Sequence, residues 1–232
     1  MKTWFTSDPH FGHGRIIDHC ARPWPTEEKM TDGLIDRWNS KVDPRDKVWL
    51  FGDLFFVKMS TAISIMRRLN GEKHLILGNH DGVIRKNPAL RAEFHKIYPD
   101  LYQENIDGHL VVMSHFPLMS WNKSYHGSFM LHGHSHGMLA FDPKVRRMDV
   151  GVDCHDWYPI EWNDIKARLE AVPVPSSVAD DPHEPSTMKQ IITAMDEAHE
   201  YDGPLHKRIR DLINHRNALE AQLKATMYGA RR

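Results

Sequence analysis

The stretch Trp4-Phe5-Thr6-Ser7-Asp8-Pro9-His10 decides how the rest of the chain is read. Apolar residues run straight into a short polar block, as they do where a buried strand ends and a loop begins. In an extended chain, side chains two positions apart point the same way, so Asp8 and His10 can address one ion. Pro9 cannot donate to a central ladder and helps to end the strand there. The same order recurs downstream. Gly52-Asp53 follows Val48-Trp49-Leu50-Phe51, and Gly78-Asn79-His80-Asp81-Gly82 follows Leu75-Ile76-Leu77. His115 follows Leu110-Val111-Val112-Met113-Ser114, and Gly133-His134-Ser135-His136-Gly137 follows Phe129-Met130-Leu131. Ligands of layered α/β proteins collect at that strand edge.

Outward from these blocks, residues 1–171 alternate short apolar runs with amphipathic segments, which predicts an α/β layered (α+β) catalytic domain. The expected strands are Thr3–Ser7, Lys47–Phe51, His74–Leu77, Leu110–Ser114, Ser128–Leu131 and Arg147–Val152. Helices are expected over Thr26–Ser40, with Leu34, Ile35 and Trp38 on one face, and over Ser60–Leu69, with Ile63, Met66 and Leu69. Asp107-Gly108, between Gln103–Ile106 and His109–Met113, is a hairpin signal and makes part of the sheet antiparallel. Prolines 173, 175, 182 and 185 mark residues 172–186 as a linker. Beyond it, residues 187–232 read as a C-terminal helical hairpin broken at Gly203-Pro204, whose apolar stripe is a candidate surface for homo-oligomers.

Bulk properties narrow the function classes. The chain has 232 residues, 41% hydrophobic and 26% charged, the profile of an ordinary globular protein with one full core. A net charge of −1 gives no general pull toward nucleic acid or an anionic membrane. No apolar stretch approaches the length of a bilayer span, and the start Met1-Lys2-Thr3-Trp4-Phe5 lacks the apolar segment of a signal peptide. With only Cys20 and Cys154, disulfides do not organise the fold, and a cytoplasmic setting is expected. The 17 histidines are out of line with this plain background. Imidazole is the commonest metal ligand and the usual acid or base near neutrality. His19, His74, His95, His109, His126 and His155 have no evident partner and read as surface residues, and His132 as a supporting one. The five blocks together offer a mixed set of nitrogen and oxygen donors. That set suits manganese first, with Fe, Zn, Ni or Co as alternatives, rather than a thiolate site.

The order Asp-x-His, Gly-Asp, Gly-Asn-His-Asp, His, Gly-His-x-His resembles the calcineurin-like metallophosphoesterase superfamily over about residues 1–165. Asp8-Pro9-His10-Phe11-Gly12-His13, and Val150-Gly151-Val152-Asp153 followed by Trp157-Tyr158-Pro159-Ile160, resemble its small bacterial and phage members. The resemblance implies two packed β-sheets flanked by helices and a site for two metal ions. It puts Asp8, His10, Asp53 and His136 on one ion and Asp53, Asn79, His115 and His134 on the other, with Asp53 bridging. Two cations ~3.5–4 Å apart can clamp the attacking and leaving oxygens of an in-line phosphoryl displacement, with a bridging hydroxide as nucleophile. His80 is then expected to stabilise the transition state and protonate the leaving oxygen, beside Asn79, and Asp81 to orient the His80 imidazole. His13 and Arg15, in a loop flanked by Gly12 and Gly14, are candidates for contact with the substrate phosphate. Trp121 is a candidate both for the pocket wall and for the core.

Phe56 stands three residues after Asp53, where purple acid phosphatases of this superfamily carry an iron-binding tyrosine and the double-strand-break repair nucleases a histidine. Phenylalanine neither ligates metal nor donates a hydrogen bond. With the near-neutral charge, this argues against a nucleic-acid polymer and for a small phosphodiester, cyclic nucleotides included. A phosphomonoester is the alternative. A non-catalytic metal-binding assembly module on the same fold is the third reading, opposed by the retention of all seven ligand positions and His80.

Overall fold

In the computed structural model, the described residues are 1–139 and 141–174. The expected hairpin at 187–232, and all but the first residues of the linker at 172–186, lie outside them. The elements run β1 (Thr3–Thr6), α1 (Gly14–His19), α2 (Glu27–Lys41), β2 (Lys47–Leu50), α3 (Met59–Arg68), β3 (Glu72–Ile76), α4 (Gly82–Lys86) and α5 (Pro88–Arg91). They continue with β4 (Lys96–Tyr98), β5 (Leu101–Ile106), β6 (His109–Ser114), β7 (Phe129–His132), β8 (Arg147–Asp149), β9 (Ile160–Glu161) and α6 (Trp162–Glu170).

Two mixed sheets result, ordered β4-β3-β2-β1-β9 and β5-β6-β7-β8. In the first, β1 to β4 are parallel and β9 is antiparallel to β1. In the second, β5 and β6 form the antiparallel hairpin, and β6, β7 and β8 are parallel. Period-two alternation sorts the apolar residues into two cores. Phe5, Trp49, Phe51 and Ile76 of the first sheet pack against Val111, Met113, Phe129 and Leu131 of the second, with Trp162, Ile165 and Leu169 of α6 beside them. Their neighbours Trp4, Val48, Leu50 and Leu75 face the other way, onto Met30, Leu34, Ile35 and Trp38 of α2 and Ala62, Ile65 and Met66 of α3. Strands flanked on both faces read as continuous apolar runs, as β2 does.

Local signals explain most boundaries. Thr26 caps α2 by accepting from the Lys29 amide at 3.3 Å, with Glu27 and Glu28 in the first turn. Asp107 and Gly108 take φ of 54° and 85°, the left-handed pair that a two-residue hairpin turn needs, and set the register Ile106 opposite His109. Differences arise where a segment is too short to show a period. The strand expected over Arg147–Val152 stops at Asp149, because the Asp149 side chain accepts from the Gly151 amide at 2.7 Å and Val152–Cys154 turn into a 3-10 helix. The short β4 and β9, and the helices α1, α4 and α5, carry too few residues for a pattern. Trp121 belongs to the core: its indole donates to Ser128 Oγ at 3.0 Å, among Val112, Met130 and Val145.

His74 is also buried, against the expectation of a surface residue. Its ring lies between Trp49 and His95, with Nδ1 2.9 Å from the Tyr98 hydroxyl. Burial, helped by the charge of Lys47, pushes the imidazole down to about 4, so the folded ring stays neutral where an unfolded one would charge. Between about 4 and about 6.5 the unfolded chain binds the extra proton, so this contribution to stability is complete above the unfolded value and is lost as pH falls toward the folded one. A His74→Gln chain should therefore lose less stability than wild type between pH 7 and pH 4.5, measured by urea unfolding; equal losses would contradict this. Gly108 has open space where a Cβ would stand, so Gly108→Ala should cost only the left-handed backbone, about 1 kcal/mol by the same measurement.

Candidate metal centre

The polar blocks that follow β1, β2, β3, β6 and β7 meet at one edge of the two sheets. Each must turn within a residue or two of its strand, and the backbone shows the cost. Asp8, His10, Asp53, His134 and His136 all have left-handed φ, at 57°, 51°, 54°, 66° and 46°. Such conformations cost roughly 1–3 kcal/mol each in residues other than glycine, and they persist only where surroundings hold them. Two glycines make the close approach possible. A Cβ on Gly52 would run into the backbone of Gly78, and one on Gly133 into the side chains of Ser7 and Asp8.

The donors converge in two groups, Asp8 with His10 and His136, and Asp53 with His115 and His134; within each, the candidate ligand atoms lie within 4.8 Å of one another. Asp53 Oδ2 stands between the groups, 3.8 Å from His10 Nε2 and 3.5 Å from His115 Nε2. His115 donates from Nδ1 to the Phe51 carbonyl at 2.6 Å, and its Nε2 lies 2.9 Å from Asn79 Oδ1. Asp8 Oδ1 and His10 Nε2 are buried 3.7 Å apart, and neither has a hydrogen-bond partner. Burial alone would raise the Asp8 carboxyl, yet the His10 contact and the nearby His115 and His136 hold it below its usual value. Buried carboxylates and lone pairs turned toward one another, with no proton donors between them, are the donor set of a cation site.

Other side chains hold these donors. His136 Nδ1 lies 2.7 Å from Asp153 Oδ2, which frees its Nε2. Arg22 in turn grips Asp153 with two bonds of 2.8 Å and donates to the carbonyls of Asp8 and Pro9 at 2.8 Å. One fully enclosed guanidinium thus ties the first ligand loop to the last. Burial would raise the Asp153 carboxyl, but His136 and Arg22 bring it down to about 2. No local pattern marks Arg22 as part of a site. Asp153 does stand in the quoted Val-Gly-Val-Asp block, without an evident role there. Asp81, expected beside His80, has a carboxylate that accepts from the amides of Asp53, Leu54 and Gly78 at 2.9, 3.0 and 2.8 Å. It braces the Asp53 and Asn79 loops together.

The sequence profile of calcineurin-like phosphoesterases matches residues 1–206. The chain belongs to this family. The uncharacterized protein MJ1445 of Methanocaldococcus jannaschii is 28% identical over 186 residues, 77% of this chain and 97% of its own. The gene 66 protein of Mycobacterium phage L5 is 29% identical over 186 residues, 67% of this chain and 87% of its own. The crystal structure of AQ665 from Aquifex aeolicus, a protein of unknown function, superposes with a TM-score of 0.56 at 20% identity, covering 72% of this chain and 98% of that one; it shares the fold.

The family is one of dinuclear metal hydrolases, and the orphaned acceptors here fit a pair of cations. Around them the remaining candidates divide. His80 is half exposed, with Nε2 4.0 Å from Asp53 Oδ2 and its amide donating to Asp53 Oδ1 at 2.8 Å. His13 reaches the site, with Nδ1 3.2 Å from His10 Nδ1, and burial and the neighbouring His10 and His80 push it down. Arg15 is exposed on α1 and makes no ion pair among the described residues. His132 stays behind the site, its Nδ1 2.8 Å from the Gly133 carbonyl. Phe56, read from the sequence only as a missing ligand, is a wall of the site: its ring stacks on His13 at 4.1 Å and His10 at 5.0 Å. Phe116 closes the other side, edge-on to His134 at 4.6 Å. Asp153→Asn leaves the enclosed Arg22 without its counter-charge and frees the His136 ring. It should lower metal affinity about 10–100-fold and cost about 3–5 kcal/mol of stability, measured by metal titration and urea unfolding. Wild-type values in both would refute the tie.

Proposed function

We propose that this chain hydrolyses small phosphodiesters, cyclic nucleotides among them, at the site centred on Asp53. Asp8, His10, Asp53 and His136 would hold one cation, and Asp53, Asn79, His115 and His134 the other, with manganese the first choice. The ions, when bound, supply Lewis acidity toward the phosphoryl oxygens and make a water acidic enough to serve as nucleophile near neutrality. The observation that carries the reading is the pair of donor groups sharing Asp53 Oδ2, with a half-exposed imidazole, His80, beside them. His80 is free to move a proton: its amide is held by Asp53 while its ring faces the open side, in reach of a leaving oxygen. His13 and His10 stack with Phe56, so the entrance on that side is aromatic.

Two features favour a diester over a monoester. Arg22, the buried arginine among the described residues, is committed to Asp153 and to two carbonyls, so it is not available to a second phosphate charge. Phe56 and Phe116 are 36% and 46% exposed on opposite sides of the donors, where an aromatic leaving group or base could stack. The monoesterase reading is favoured by Arg15, whose exposed guanidinium could meet a dianionic phosphate. The net charge of −1 gives no support for a nucleic-acid polymer as substrate.

Metal analysis coupled to a panel of monoesters, diesters and cyclic nucleotides tests this. Asp53→Asn should lose metal and most activity, because it removes the charge common to both groups. His80→Ala should keep its metal and slow turnover by about 10²–10⁴-fold, most for esters with poor leaving groups. Full activity of metal-free Asp53→Asn protein would overturn the mechanism, and faster turnover of monoesters throughout would overturn the diester preference.

A further inference from the structure

We infer that Glu72, His74 and His95 form a separate site for a divalent cation of the zinc class, independent of the centre at Asp53. Glu72 and His74 lie two apart on β3 and so point the same way. His95 is brought alongside by its amide, which donates to the Lys73 carbonyl at 2.9 Å, just before β4 pairs with β3. One donor atom from each of the three lies within 4.8 Å of the others. His95 Nδ1 is 3.7 Å from Glu72 Oε2, and the two imidazole rings are 4.7 Å apart.

His74 is the observation that distinguishes this group from a chance surface cluster. Only 6% of the residue is exposed, and its Nε2 is buried without a hydrogen-bond partner. A buried, unpaired imidazole nitrogen costs stability that a ligand can recover. Its other nitrogen is already held 2.9 Å from the Tyr98 hydroxyl. When Nδ1–H donates to that oxygen, the lone pair is on Nε2, the arrangement by which a second hydrogen bond fixes the tautomer of a metal-bound histidine. Burial keeps the ring uncharged near neutrality, with its value down to about 4, so no proton competes there. Two imidazoles and a carboxylate suit zinc, nickel or copper and not the all-oxygen shells of calcium and magnesium. Glu72 and His95 are about half exposed, which leaves a side open for water to complete the coordination. The nearby cations are engaged elsewhere: Lys47 pairs with Glu104 at 3.0 Å, and Lys96 lies over the Tyr98 ring. Glu72 begins β3, whereas Asn79 and His80 follow its far end, so the two sites sit at opposite ends of one strand.

The test is equilibrium dialysis against zinc alone, on the full chain, comparing wild type with the double variant Glu72→Gln/His95→Ala. Both side chains are exposed enough to be changed without opening the core. The double variant should bind one zinc per chain fewer and hydrolyse phosphoesters at the wild-type rate. The same loss of one zinc should appear when the two substitutions are added to Asp53→Asn, which weakens the other centre. Equal zinc content with and without Glu72 and His95 would overturn the proposal. Loss of hydrolysis together with the zinc would overturn the independence of the two sites.

Discussion

Asp53 is a carboxylate shut away from water, and the loops that carry the candidate donors close around it. Its Oδ1 accepts the His80 amide, while Oδ2 stands between His10 and His115 on the two sides of the site. Burying such a group without a matched cation is expensive. The His80 amide supplies part of the compensation, and the unpaired donor atoms nearby, Asp8 Oδ1 and His10 Nε2 among them, point to metal ions for the rest. The left-handed backbone at five of the candidate ligand residues is a second cost in the same place. Both are sustained by two packed cores and by the side chains that tie the loops together.

The loops are held by a few side chains that touch no substrate. Asp81 uses both oxygens to gather three amides from two loops, which joins the ends of β2 and β3. Arg22 joins the end of β1 to the block after β8 through Asp153, and Asp153 in turn aims His136. Asp149 does similar work on the loop after β7, accepting from Ser135 Oγ at 2.9 Å and from the Gly137 amide at 3.2 Å. Each buried charge therefore sets the position of a ligand it does not replace. This is how a site made from five separate strand ends can hold the geometry that two-metal chemistry requires.

Much of this was legible before any coordinates. The apolar runs ending in Asp8, Asp53, Asn79, His115 and His134 marked five strands and the edge where they meet, because a buried strand and the loop after it differ sharply in polarity. The Asp-Gly turn located the hairpin through its need for left-handed residues. Short elements such as β4, β9 and α1 were not legible, since a few residues cannot display a period. The roles of Arg22, Asp81 and Phe56 were hidden for another reason: each acts on residues distant in the chain, and nothing in its neighbours shows the partner.

The sequence by itself determined the donor types, their order and their attachment to strand ends, and so the layered fold and the class of chemistry. The donors and the layered fold follow from local rules of polarity, side-chain direction and ligand preference, and the class of chemistry from the resemblance that the motif order carries. Only the tertiary structure decided that Asp81 gathers the backbone amides of two loops. It alone placed Phe56 as an aromatic wall and left one nitrogen of His74 without a partner inside the protein. Those outcomes depend on which strands become neighbours and how closely their loops pack, and long-range contact of that kind leaves no local trace.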